Sequence, residues 1–248
     1  MTSTVEVHVK RQDGAGRESY WQKFRIPYQH GMNVITILQE IQRNPSDADG
    51  RKTTPVSWDC SCLEEVCGAC TMVINGHVRQ SCSALVDKLE QPIILEPMRK
   101  FPVVRDLVVD RSRMFEAAKR VKAWVTVDGT YDLGPAEKQP PKQQQDLYEF
   151  SRCMTCGCCV DACPQYTSEN TFVGPAAIGQ AYLFNHNKAG KFEEEDRLNT
   201  LMEEGGIHEC GNAQNCVRVC PKDIPLTRSI ASLNKDTLKQ ALKNMFLK

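Results

Sequence analysis

The sequence has no long apolar run and no excess of charge of either sign. None of its segments approaches the roughly 18 to 20 consecutive apolar residues that are needed to cross a bilayer. Met1 to Lys10 alternates polar and apolar residues, unlike a secretory signal. Basic and acidic residues both number 31, so no field of one sign attracts nucleic acid or an anionic membrane surface. We expect the chain to stay on the cytoplasmic side, with any membrane attachment provided by another subunit.

Cysteine, in contrast, is abundant, with 13 residues in a chain of 248. A reducing compartment keeps thiols from pairing as disulfides, so a dense and regularly spaced set of cysteines there indicates metal binding. The odd count would also leave one thiol unpaired in a closed disulfide framework. The composition therefore predicts metal or cluster ligands rather than disulfides.

The first hundred residues have the pattern of a small, twisted sheet crossed by one helix. Asn33 is a good N-cap for a helix that ends near Arg43. Asn75-Gly76 and Asp13-Gly14 are hairpin signals. Alternating apolar residues predict strands over Thr4–Lys10, Ser19–Ile26, Thr71–Ile74, His77–Gln80 and Ile93–Glu96.

Beyond Phe101 the sequence becomes mainly helical. Gly129 to Pro141 is typical of a connector without periodicity. The apolar segment Phe172 to Ile178 suggests a face that a partner covers. A boundary near Arg105 gives domains of residues 1–105 and 106–248. Apolar residues at spacings of three and four predict helices over Arg105–Val121, Gln143–Arg152, Pro175–Asn185, Glu193–Glu203 and Leu226–Phe246.

A first set of four cysteines follows the spacing of plant-type [2Fe–2S] proteins. Cys62, Cys67 and Cys70 form the C-x4-C-x2-C pattern, and Cys82 supplies a fourth thiolate from beyond the predicted hairpin. Gly68 lets the backbone approach the cluster, because it has no Cβ to clash. A four-cysteine zinc site is the alternative, although zinc sites usually use two C-x2-C pairs, and only Cys67 and Cys70 make one here.

Two later segments echo each other and match the pattern of bacterial two-cluster ferredoxins. The first run reads C-x2-C-x2-C-x3-C-P from Cys153 to Pro164, and the second repeats this register from Cys210 to Pro221. In such ferredoxins the fourth cysteine of each run binds the other cluster. The predicted ligands of a [4Fe–4S] cluster are therefore Cys153, Cys156, Cys159 and Cys220.

The other site of this pair is predicted to hold a [3Fe–4S] cluster. The second run has Ala213 where the register requires a cysteine, so no side chain there can bind a fourth iron. One thiolate fewer means less negative charge, which raises the potential relative to an all-cysteine neighbour and directs electrons towards this site. The three remaining ligands are Cys163, Cys210 and Cys216.

Two further cysteines fit neither pattern. Cys60 lies two residues before Cys62 and is predicted to be a half-buried thiol that binds no iron. The alternative is a ligand swap, in which Cys60 takes the place of one of the patterned cysteines. Cys158 lies beside Cys159 and is predicted to be a small packed residue rather than a ligand.

The order of these motifs resembles the iron–sulfur subunit of succinate dehydrogenase and of its close relative fumarate reductase. The resemblance covers nearly the whole chain, including Cys62 to Cys70, Phe101 to Leu107 and the runs that end at Pro164 and Pro221. It implies an α+β fold, in which an N-terminal β-grasp [2Fe–2S] ferredoxin-like domain precedes a C-terminal all-α helical ferredoxin domain.

The resemblance also implies a function in the tricarboxylic acid cycle and the respiratory chain. In the family, a flavoprotein subunit oxidises succinate on covalently held FAD. Electrons then pass through [2Fe–2S], [4Fe–4S] and [3Fe–4S] centres to a quinone at a cytochrome b membrane anchor, which holds haem b. No catalytic residue for dicarboxylate chemistry is expected on this chain. Fumarate reductase, which runs the same path in reverse, is the nearest alternative.

One departure concerns the quinone. Family members that use ubiquinone have a tryptophan after the first Cys-Pro and a histidine after the first cysteine of the second run. Here these places read Gln165-Tyr166-Thr167-Ser168 and Gly211, which resembles the branch with a di-haem anchor and menaquinone in Gram-positive bacteria. His208 is a candidate for protonation near the quinone, with a solvent-facing histidine as the alternative. Another quinone-linked dehydrogenase and a zinc-stabilised interaction module are more distant alternatives.

Overall fold

A computed structural model of the chain describes residues 4–126 and 138–246. The predicted connector Gly129 to Pro141 lies largely outside these residues. In the described part of the chain, no helix is both long and apolar enough to cross a membrane. The chain divides into two units, which consist of Met1–Arg111 with Met154–Asp161, and of Ser112–Cys153 with Ala162–Lys248.

The first unit is built on a five-stranded sheet. Its strands are β1 (Thr4–Gln12), β2 (Ser19–Pro27), β3 (Thr71–Ile74), β4 (His77–Gln80) and β5 (Ile93–Glu96). Their order is β2-β1-β5-β3-β4, with β1 and β5 parallel and every other pair antiparallel. This topology, with one helix packed on the sheet, agrees with the predicted β-grasp arrangement.

That helix, α1 (Val34–Arg43), follows from the amphipathic pattern of its sequence. Ile37, Leu38 and Ile41 are fully buried in one hydrophobic core with alternate residues of β1. The predicted N-cap is confirmed, because the Asn33 Oδ1 atom accepts a hydrogen bond from the Thr36 N–H at 3.0 Å.

The helix predicted over Arg105–Val121 is wrong in its first part. Val103–Arg105 and Val108–Val109 form a short hairpin, β6 and β7, and helix α2 begins only at Ser112 and ends at Arg120. Asp106 lies between the two strands with a left-handed φ of 49°.

The turn at Asp106 is explained by a buried charge. The Arg11 Nε and Nη2 atoms donate to the two Asp106 carboxylate oxygens at 2.8 and 3.1 Å, and both side chains are fully buried. A buried guanidinium needs a paired counterion, since an unpaired buried charge is very unfavourable. Tertiary pairing therefore outweighs the local helical pattern of residues 105–111.

The second unit is helical, as predicted. It contains α2, α3 (Pro141–Ser151), α5 (Gly174–His186), α6 (Glu194–Met202), α7 (Asn215–Arg218) and α8 (Leu226–Phe246), whereas the short helix α4 (Cys158–Asp161) belongs to the first unit. Helix α5 contacts α2, α3, α6 and α8. A Cβ atom on Gly179 would lie 2.8 Å from a Leu226 methyl carbon, so glycine permits the close packing of α5 on α8.

The apolar segment Phe172 to Ile178 does not form a face left for a partner. Phe172, Val173 and Ile178 are buried within the chain's own second unit. The expectation that this segment awaits a partner is therefore wrong, because it supplies part of the core around α5.

Candidate iron–sulfur sites

The loop from Cys62 to Cys70 directs backbone N–H groups at its own cysteine sulfurs. The Cys62 Sγ atom accepts hydrogen bonds from the N–H groups of Glu64, Val66 and Cys67 at 3.4, 3.3 and 3.2 Å. These three donors lower the pKa of the Cys62 thiol to about 7, because they stabilise the thiolate. The loop is therefore prepared to hold negatively charged sulfur.

Two residues other than glycine have left-handed backbone conformations in this loop. Leu63 and Glu65 have left-handed φ values of 62° and 56°, which are unfavourable for residues with a Cβ and are found where surrounding contacts enforce them. The Ser83 hydroxyl donates to the Glu65 carboxylate. Since Ser83 follows Cys82, this bond ties the bent loop to the segment that carries the fourth cysteine.

The four cysteines of the first set come together as two pairs. The sulfurs of Cys62 and Cys67 share a hydrogen bond, and those of Cys70 and Cys82 share another. Burial, together with donation of its proton to Cys70, raises the pKa of Cys82 to about 11. The Ser81 N–H and hydroxyl both donate to the Cys70 carbonyl, at 3.2 and 2.9 Å, and so fix the position of Cys70.

The zinc alternative requires four sulfurs around one ion. Within residues 4–126 and 138–246, no group of three or more His, Cys, Asp or Glu side chains is arranged to hold a single metal ion. The assignment of Cys62, Cys67, Cys70 and Cys82 as the four ligands of a [2Fe–2S] cluster stays a prediction.

The cysteines of the second set are divided between the two units. Cys156 and Cys159 belong to the first unit, and Cys153 and Cys220 belong to the second. The Cys158 thiol donates to the sulfur of Cys156, which lowers the pKa of Cys156 to about 7 despite its burial. The binding of one cluster by these four residues stays a prediction.

The two spare cysteines differ from each other. Cys158 is fully buried, as predicted, and the Gln80 Nε2 atom lies 3.4 Å from its sulfur. Donation of its proton to Cys156, followed by burial, raises the pKa of Cys158 strongly. Cys60 is exposed, so the expectation that it is half-buried is wrong.

The cysteines of the third set line one cavity in the second unit. Cys163, Cys210 and Cys216 share its wall with Ala213, and its empty volume is about 390 Å³ including the open mouth. Burial and the nearby charges of Cys163 and Cys210 raise the pKa of Cys216 to about 11. The alanine of the second run thus lies in the same wall as the three sulfurs.

The rest of this cavity wall combines apolar residues, among them Pro164, Phe172 and Ile230, with polar ones such as Asn212 and Gln214. The Asn215 amide donates to the Ala162 carbonyl at 3.0 Å. This bond links the segment before Cys163 to the helix that carries Cys216.

Sequence reasoning missed side chains that support the sites from far along the chain. The Asn33 Nδ2 atom donates to the Cys82 carbonyl at 3.0 Å, although the sequence identified Asn33 only as a helix cap. No local signal could have revealed this contact, because the two residues are 49 positions apart. His208 is solvent-facing, with its Nε2 atom 3.6 Å from a carboxylate oxygen of Glu209.

Comparison with protein families supports an iron–sulfur domain in each part of the chain. Residues 6–116 match a family described as a 2Fe-2S iron-sulfur cluster binding domain. Residues 149–224 match a family described as a 4Fe-4S dicluster domain. The chain therefore has a sheet-containing [2Fe–2S] domain followed by a helical [4Fe–4S] dicluster domain, which confirms the predicted fold class.

Full-length relatives identify the family. The succinate dehydrogenase iron-sulfur subunit of Bacillus subtilis is 58% identical over 98% of this chain and 96% of its own length. The fumarate reductase iron-sulfur subunit of Wolinella succinogenes is 28% identical over 94% of this chain and 95% of its own length. A chain in the solved Mycobacterium smegmatis Sdh1 complex shares the fold, with a TM-score of 0.78 and 24% identity over 97% of this chain and 98% of that one. The chain belongs to the family of succinate dehydrogenase iron–sulfur subunits.

Proposed function

We propose that this chain is the electron-transfer subunit of a succinate:quinone oxidoreductase, respiratory complex II. In this proposal it relays electrons from a flavoprotein subunit with FAD to a quinone at a cytochrome b membrane anchor. The two relatives above are named as subunits of succinate dehydrogenase and fumarate reductase. This supports a role in the same kind of electron-transfer pathway.

The proposed ligands are the eleven patterned cysteines, in two domains of residues 1–105 and 106–248. The first domain would hold a [2Fe–2S] cluster on Cys62, Cys67, Cys70 and Cys82. The second would hold a [4Fe–4S] cluster on Cys153, Cys156, Cys159 and Cys220. A [3Fe–4S] cluster would be bound by Cys163, Cys210 and Cys216.

The cavity around Ala213 carries the proposal. Three cysteine sulfurs and one alanine line the same space, and this donor set fits a cluster with three protein ligands. A structural zinc site normally has four protein ligands, so the alanine in place of the fourth ligand does not fit zinc. Phe172 and Ile230 cover part of this space, and burial and solvent exposure are among the factors that set cluster potentials.

The chain's own residues bind and orient the proposed clusters, which supply one-electron redox chemistry. The backbone N–H groups of Glu64, Val66 and Cys67 already point at the Cys62 sulfur. Hydrogen bonds to ligand sulfur stabilise negative charge and tune the reduction potential.

The proposed location is the cytoplasmic face of the membrane, where the anchor subunit holds the chain peripherally. The proposed quinone is menaquinone. Gln165 and Gly211 line the cavity of the third cysteine set. Gly211 stands where ubiquinone-using members have histidine, and the stretch Gln165-Tyr166-Thr167-Ser168 lacks the tryptophan that they have after the first Cys-Pro. The second candidate is the subunit of a fumarate reductase, whose direction depends on flavin and quinone potentials that this chain does not encode.

Purification of the complex from membranes tests the proposal. We expect a flavoprotein and a haem-bearing anchor to accompany the chain, and succinate to reduce three distinct iron–sulfur centres detected by electron paramagnetic resonance. Reoxidation by menaquinone and ubiquinone analogues compares the two quinones. A colourless chain that contains zinc, or a brown complex that succinate does not reduce, would contradict it.

A further inference from the structure

Arg111 belongs to none of the cysteine motifs, yet its side chain joins two of them. Its Nη2 atom donates to the Ala69 carbonyl at 2.8 Å, and its Nη1 atom donates to the Gly68 carbonyl at 2.9 Å. Nη1 also donates to the Cys156 carbonyl at 3.3 Å. All four residues belong to the first unit. One planar cation thus binds the loop of the first cysteine set and the turn that carries Cys156.

The same two segments also touch through their backbones. A Cβ atom on Gly68 would lie 2.6 Å from the Cys156 Cβ and 2.7 Å from its Cα. Gly68 follows Cys67, and Ala69 precedes Cys70. Two of the carbonyls that accept hydrogen bonds from Arg111 therefore belong to direct neighbours of the proposed first-cluster ligands Cys67 and Cys70. The third carbonyl belongs to Cys156, which is itself a proposed ligand of the second cluster.

The chemistry of arginine suits this bridging position. Its guanidinium presents five N–H donors in a rigid fork, so it can serve carbonyls on two segments at once. A positive charge beside a cluster favours the reduced state, which carries one more negative charge, and net charge is one of the factors that set cluster potentials.

We propose that Arg111 is a positioning residue for electron transfer between the first and second clusters. Its hydrogen bonds fix the separation of the two ligand segments, and its charge raises the potential of both clusters. This inference rests on the proposed function above. In the step concerned, one electron leaves the reduced [2Fe–2S] site and arrives at the oxidised [4Fe–4S] site, and no bond forms or breaks.

The test uses the assembled complex with Arg111→Ala, Arg111→Lys and a control, Arg43→Ala. The Arg43 side chain is 73% exposed and pairs with Glu40 on α1, so its loss removes a cation without touching either ligand segment. Two properties are measured, namely the microwave power saturation of the reduced [2Fe–2S] resonance, which reports its distance from neighbouring spins, and the midpoint potentials of both clusters.

We expect Arg111→Ala to lose part of the relaxation enhancement and to shift both potentials downwards. Arg111→Lys keeps the charge but lacks the fork, so its potentials should stay near those of the unmodified complex while its relaxation changes in the same direction as in the alanine variant. Arg43→Ala should change neither property.

The outcomes separate this inference from the proposed function. An unmodified complex without three iron–sulfur resonances overturns the proposed function, whatever the variants do. An unmodified complex with all three, together with unchanged relaxation in Arg111→Ala, overturns only the role of Arg111. If the alanine variant does not assemble, Arg111→Lys decides: altered relaxation with preserved potentials supports the role, and unchanged relaxation overturns it.

Discussion

Replacing Gly68 by alanine tests the packing of the first ligand loop. Gly68 has a φ of 70°, and an added Cβ would lie 2.6 Å from the Cβ of Cys156. Ordinary carbon–carbon contacts are about 3.5–4.0 Å, so Cys156 or the loop must move by roughly 1 Å. A methyl group at this position should therefore displace one of the proposed cluster-binding segments.

The expected cost has two parts. A left-handed backbone costs a residue with a Cβ about 1–2 kcal/mol, and forcing an extra carbon into a packed site costs about 1–3 kcal/mol. The free energy of unfolding should thus fall by about 2–5 kcal/mol. For a chain of this size each kcal/mol lowers the melting temperature by about 2–4 °C, which gives a decrease of about 4–20 °C.

Gly76→Ala is the matched control. Gly76 has a φ of 81°. Apart from its own residue and its two chain neighbours, no heavy atom of the described residues would lie within 4 Å of an added Cβ atom. This variant has the backbone cost without the crowding. The assay follows the thermal loss of visible cluster absorbance and the [2Fe–2S] resonance in the assembled complex. Equal losses for the two variants would refute the close approach of Gly68 to Cys156.

Three other predictions follow from single contacts. Ala213→Cys adds a thiolate to the cavity of the third set and should convert its cluster towards a four-iron form; an unchanged three-iron resonance would weaken the ligand assignment. Asp106→Asn leaves the buried Arg11 charge without its counterion, and should lower the free energy of unfolding by about 3–5 kcal/mol; a change below about 1 kcal/mol in thermal unfolding would argue against the pair. After iron is removed by chelation, iodoacetamide at pH 8 should label Cys62 before Cys216, because this pH is above the Cys62 pKa of about 7 and below the Cys216 pKa of about 11; mass spectrometry that finds the reverse order would contradict the proposed N–H donors.

Much of the first unit was predictable because its signals are local. The Asn75-Gly76 turn defines β3 and β4 with the bounds that the structure has. Asn33 caps the N-terminus of α1 as expected, and its side chain accepts a hydrogen bond from the N–H of Thr36. Alternation of apolar residues identified β1 and β2, with end points that differ by one or two residues.

The errors occur where distant residues decide the local structure. The segment after Arg105 has a helical pattern, but Asp106 turns there to pair with Arg11, which lies 95 residues earlier in the chain. Likewise, apolar residues alone could not say whether Phe172 is covered by the chain itself or by a partner. In both cases the answer depends on which elements meet in three dimensions.

For the sites, cysteine spacing predicted which residues to consider, but not what supports them. Cys163, Cys210 and Ala213 line one cavity, and the assignment of the two cysteines as cluster ligands stays a prediction. Neither the bond from Asn33 to the Cys82 carbonyl nor the bridge made by Arg111 leaves a pattern in the sequence. Such contacts join residues far apart in the chain, so only coordinates reveal them.

The most direct test of the account is the amount of non-haem iron and acid-labile sulfide per assembled chain. The central claim is that eleven cysteines hold one [2Fe–2S], one [4Fe–4S] and one [3Fe–4S] cluster. We therefore expect about nine non-haem irons and about ten sulfides per chain. A count far below nine in a fully assembled complex, or zinc in place of iron, would contradict it.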